Sequence, residues 1–134
     1  MKGRSLISLM VLSSAALLVF DSGEALAHHS VASVYVVTKN EKIEGTVKEF
    51  IWRNPHSFIK VDAPDEKGVV QTFVLEWASP TQLAESHLTR NVLRSGDHII
   101  CVGNPGRIVE DHRMRVTNIE RPADGWKWQG STEE

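Results

Sequence analysis

A chain of 134 residues with 15 basic and 17 acidic side chains has a formal net charge of -2, and no stretch concentrates positive charge as a nucleic-acid partner would require. One cysteine, Cys101, excludes an internal disulfide, so the domain must hold together by packing. Gly-rich phosphate loops, Cys-x-x-Cys and His-Glu-x-x-His are absent, and no spacing joins a nucleophile to a base, so enzyme chemistry has no motif to rest on.

The first 27 residues follow the order of a secretory signal: Lys2 and Arg4 are basic, Leu6 to Phe20 are apolar apart from serines, and Ala25-Leu26-Ala27 is a small-x-small cleavage site. Reading 1–27 as a cleaved signal peptide predicts an exported chain with no stable membrane span. It would begin at His28, hold one domain over 28–122 and end in a flexible tail over 123–134.

After His28-His29-Ser30, the β-branched run 31–37 predicts an extra N-terminal strand, with a turn at 38–41. The run 42–52 alternates through Ile43, Gly45 and Val47, then changes phase so that Phe50 and Trp52 become the apolar positions. Such a change inside one strand predicts a β-bulge, and Gly45 eases the bend. Asn54-Pro55 ends that strand, because proline lacks an N–H and restricts its predecessor. Further strands are predicted over 57–62, 69–77, 97–103 and 113–120. Ser79-Pro80 marks a helix start, and Leu83, Leu88, Val92 and Leu93 extend the helix over 80–93. Three strands, a helix and two strands, with a bent first strand, predict a mainly β, OB-fold-like five-stranded barrel.

Two functional readings follow from the stretch Trp52 to His56. In the first, the protein is a binding module whose ligand, a small molecule or another exported protein, meets the loop between the first two barrel strands through Trp52, Asn54 and His56. Phe50 and Trp77 read as core, and Trp52 divides evenly between core and binding platform. Asn54 also has a structural reading, in which its side chain bonds the turn backbone. In the second reading the protein handles copper. Cleavage after Ala27 would give His28 a free α-amine beside its imidazole, a chelating pair suited to Cu(II). If 31–37 ran back along the first long strand, His28 and His29 would return to His56, and Glu76 would end the third strand nearby. The predicted metal ligands are therefore His28, His29, His56 and Glu76, while His87, His98 and His112 read as surface or turn residues.

The chain also resembles a family of small exported bacterial proteins known only as a domain of unknown function. The resemblance rests on Ala27-His28-His29-Ser30, on Gly45-Thr46-Val47 ahead of Trp52-Arg53-Asn54-Pro55-His56, on Glu76 to Pro80 and on Leu93 to Asp97. It implies a periplasmic setting and no established activity. Two places depart from the family pattern: Val31 stands where members have phenylalanine, and His87-Leu88 where they have a Gly-Trp pair.

Overall fold

The computed structural model describes residues 31–130, so the segment read as a signal peptide, with His28 and His29, lies outside the described residues. The chain divides into two units, Met1–Ala32 and Ser33–Glu134, and the strands among the described residues belong to the second. In order these are β1 (Glu41–Ile51), β2 (Phe58–Pro64), β3 (Val70–Glu76), helix α1 (Pro80–Glu85), β4 (His98–Pro105), β5 (Arg113–Arg121) and β6 (Trp126–Gln129). A 3-10 turn, Val109–Asp111, leads into β5.

Antiparallel pairing gives the order β3-β2-β1-β4-β5-β6, and a parallel pairing of β3 with β5 closes the first five strands into a ring. This is the connectivity of an OB-fold, with the helix between strands three and four and a sixth strand outside the ring. Closure needs strongly bent strands. In β1 the register against β2 slips between Val47 and Glu49, which is the bulge anticipated from the change of phase. Two glycines mark close backbone crossings: a Cβ on Gly45 would collide with the Asp62 carbonyl oxygen, and one on Gly103 with that of Arg115. The interior is filled by alternate residues of all five strands, among them Val47, Ile59, Val61, Leu75, Ile99, Cys101, Met114 and Ile119, with Leu83 from the helix.

Three expectations need correction. Residues 31–37 are not a strand along β1: residues 31–34 are helical, and Tyr35 makes an isolated bridge to Gly106. The physical reason is that this segment bonds to the end of β4 instead: Val36 N–H donates to the Pro105 carbonyl and Arg107 N–H to that of Val34. The helix stops at Glu85 rather than 93. Ser79 and Gln82 form a capping box at its start, but His87 takes a left-handed φ of 59°. Leu88, Val92 and Leu93 still pack on the core, so their spacing reported burial rather than helix. Finally, the segment read as a flexible tail contains β6, because Trp126 and Trp128 at period two pack against the core.

Candidate functional site

The β1–β2 turn runs from Trp52 to His56, and its Asn54–Pro55 peptide bond is cis. Beyond the turn Ser57 continues the β2–β3 ladder: its N–H donates to the Ala78 carbonyl and its own carbonyl accepts from Trp77. His56 therefore stands one step outside the ladder, close to the end of β3, where Glu76 pairs with Phe58 on one side and Arg115 on the other.

Glu76 is the centre of the site. Its side chain is 17% exposed, and Oε1 accepts from Nδ1 of His56, which is 47% exposed. Oε2 accepts a hydrogen bond of 2.5 Å from the Tyr35 hydroxyl and lies 3.8 Å from Nη2 of Arg113. The Arg113 guanidinium also stands 6.0 Å from the centre of the Tyr35 ring. Tyr35 is buried, and that burial, reinforced by the hydrogen bond and charge of Glu76, holds its phenol well above the ordinary range, with Arg113 opposing. Tyr35 itself is held by the backbone around it: Val36 N–H donates to the Pro105 carbonyl, and Arg107 N–H to that of Val34. Asn104 Nδ2 fastens the following residues by donating to the carbonyls of Val37 and Lys39.

With Nδ1–H directed at a carboxylate, the His56 ring has a defined orientation and offers Nε2 as its second polar atom. Such an imidazole can accept a proton, receive a hydrogen bond or ligate a metal. Trp52 is half-buried, edge-on to Phe50 at 5.9 Å, and ends a chain of rings that continues through Trp77 at 5.6 Å and Trp128 at 5.1 Å. It is both a core ring and part of the turn surface. Ser57 Oγ and Trp77 Nε1, buried beside the turn, have no hydrogen-bond partner among the described residues.

The fold thus brings together His56, Glu76 and the Trp52 turn. Asn54 is exposed at its tip, and no hydrogen bond ties its side chain to the turn backbone among the described residues. The Glu76 carboxylate faces His56 through Nδ1. Among the described residues no three histidine, cysteine, aspartate or glutamate side chains cluster to hold a metal. His98 pairs with Glu44 at 3.1 Å, and His112 packs edge-on to Phe73 at 5.1 Å. Sequence reasoning missed Tyr35 and Arg113. The one tyrosine of the chain, set in an apolar run, was a signal that its hydroxyl would need a buried partner; Arg113 carried no signal.

The pattern of a family of unknown function (DUF6152) matches residues 16–115, and the chain belongs to that family. No curated protein matches it. Among solved structures it is similar to the mitochondrial single-stranded DNA-binding protein Rim1 from S. cerevisiae, at 10% identity and a TM-score of 0.45, over 69% of this chain and 96% of that one.

Proposed function

We propose that the protein is a periplasmic binding module that receives its ligand at the β1–β2 turn, with Trp52 as an apolar wall and His56 as the polar contact. The observation that carries this reading is the pairing of His56 Nδ1 with Glu76, which is itself held by Tyr35. An imidazole fixed by a carboxylate and left open at Nε2 is prepared for a partner at little further ordering cost. The order of charge and hydropathy in residues 1–27 supports export. Native mass spectrometry of the protein recovered from periplasmic extract tests the reading. A co-purifying small molecule or protein should be lost at least roughly tenfold in Trp52→Ala and in His56→Ala, a loss of about 1.4 kcal/mol. If both variants retain it at the wild-type level, this surface is not the site.

A copper-handling role is favoured by the same contact, because a metal-bound imidazole commonly donates its other nitrogen to a carboxylate. Nε2 of His56 would then be the ligand and Glu76 its orienting partner, with the α-amine and imidazole of His28, and His29, completing a nitrogen-rich set. Cu(II) titration of the protein, after its amino terminus has been sequenced, decides this. One residue added ahead of His28, or His56→Ala, should weaken binding markedly.

A further inference from the structure

The outer face beside this turn carries more positive charge than its acids neutralise. Leu75 and Met114 point into the core, so their neighbours Glu76, Arg113 and Arg115 point outward. The register lays Ile51, Phe58, Glu76 and Arg115 in one row across β1, β2, β3 and β5. Strands two apart are separated by roughly 10 Å, so Arg115 and Phe58 bracket Glu76 within the reach of an arginine side chain. From the turn, Arg53 sets its guanidinium 4.9 Å from the centre of the Phe58 ring.

The one carboxylate in the row is already engaged. Glu76 accepts from Tyr35 and His56 and faces Arg113. Lys60, on the same face of β2, is paired with Glu49 at 2.8 Å. The side chains of Arg53 and Arg115 form no ion pair or hydrogen bond among the described residues, and Glu110 and Asp111 of the 3-10 turn pair with none of the three arginines. In a chain of net charge -2, Arg53, Arg113 and Arg115 therefore share this outer face with the one engaged carboxylate of the row, next to the turn that holds His56.

From this charge distribution we infer that the ligand received at the β1–β2 turn carries an oxyanion, a phosphate or carboxylate group, held by Arg53 and Arg115 with Arg113 beside them. The planar fork of a guanidinium matches two oxygens of such a group at once. This names the ligand class for the binding-module reading and rests on it. It also separates that reading from copper handling, since three guanidinium charges repel a metal cation approaching His56.

The test is an NMR titration of the full chain with inorganic phosphate at constant ionic strength, following arginine Nε–Hε signals and backbone amides, with chloride as the reference anion. Saturable shifts are expected at Arg53 and Arg115. Arg53→Gln and Arg115→Gln, neither of which removes a core contact, should each weaken binding roughly tenfold, whereas Lys127→Gln on β6 should leave it unchanged. Vesicles of phosphatidylglycerol, compared with phosphatidylcholine, form the second arm. Binding to the former without response to free phosphate identifies a lipid headgroup, and response to free phosphate identifies a soluble anion. No saturable shift in either arm, or equal shifts in the Arg53→Gln/Arg115→Gln variant, overturns the inference. If both arms fail while Trp52→Ala and His56→Ala still release the recovered ligand, only the anion assignment falls. If phosphate binds through the arginines while those two variants keep the ligand, only the turn assignment falls.

Discussion

Tyr35→Phe removes one oxygen from the protein and leaves the ring, so it isolates the bond that ties the amino-terminal strap of the barrel unit to Glu76. Tyr35 is 2% exposed and its ring position is set by packing, while the hydroxyl donates over 2.5 Å to a carboxylate. A hydrogen bond to a charged acceptor contributes about 1.5–3 kcal/mol. Glu76 is 17% exposed and keeps His56 as a partner, so water can replace part of the loss. The expected cost is about 2 kcal/mol, which for a domain of this size lowers Tm by roughly 8–16 °C and the urea midpoint by about 1 M, at unchanged slope. Equilibrium urea unfolding of Tyr35→Phe, Glu76→Gln and the double variant gives the coupling directly. An interaction of about 1 kcal/mol or more is expected. Additivity within about 0.5 kcal/mol, or a wild-type midpoint in Tyr35→Phe, would refute the reasoning that Glu76 depends on the strap.

Two further predictions concern the barrel itself. Burial pushes the Cys101 thiol from its ordinary 9.0 up to about 12, so the folded state keeps a proton that the unfolded chain has released. The associated stability is complete below pH 9.0 and is lost as pH rises toward about 12, at roughly 1.4 kcal/mol per pH unit, with Tyr35 adding to the loss at the alkaline end. Between about pH 8 and about pH 10, wild type should lose about 1.4 kcal/mol more than Cys101→Ala in urea unfolding, and equal losses would contradict the assignment. Gly103→Ala should cost about 3 kcal/mol or more, or prevent folding, because its Cβ meets the Arg115 carbonyl and lies 2.8 Å from Met114 Cγ. Gly68→Ala, in an open turn at φ 77°, should cost about 1–2 kcal/mol, and a comparable cost at the two positions would show that β4 and β5 can separate there.

The barrel was legible because its signals are local. Alternation marked the strands, Ser79-Pro80 marked the helix start, and the shift of apolar phase in residues 42–52 marked the bulge at the place where β1 passes from β4 to β2. The errors arose where burial mimics a secondary-structure period. Leu88, Val92 and Leu93 are spaced like a helix face, yet they reach the core from turns. The β-branched run 31–37 has strand propensity, yet its backbone bonds go to Pro105–Arg107 and make only an isolated bridge, because propensity does not choose the partner. Of the candidate site, His56 and Glu76 could be brought together by following which strand ends meet. Arg113 could not, because its approach depends on the parallel closure of β3 against β5, a long-range pairing without a local sequence mark.

That closure also decides what Glu76 can do. The last residue of β3 is bonded into β2 on one side and β5 on the other, so the β1–β2 turn and the start of β5 meet at one carboxylate, and Tyr35 arrives from 41 residues away in sequence. A carboxylate so enclosed is tolerable because each oxygen has a donor. Its engagement has a functional consequence. To ligate a metal directly, Glu76 would have to release Tyr35 or His56, giving up a charge-assisted bond for each oxygen it turned outward. On the proposed binding reading, contact at the turn falls to Nε2 of His56 and to the donors of Arg53, Arg113 and Arg115, and the guanidinium groups can meet an oxyanion. A ligand that joins an acidic group to an apolar body would use these donors together with the exposed part of Trp52.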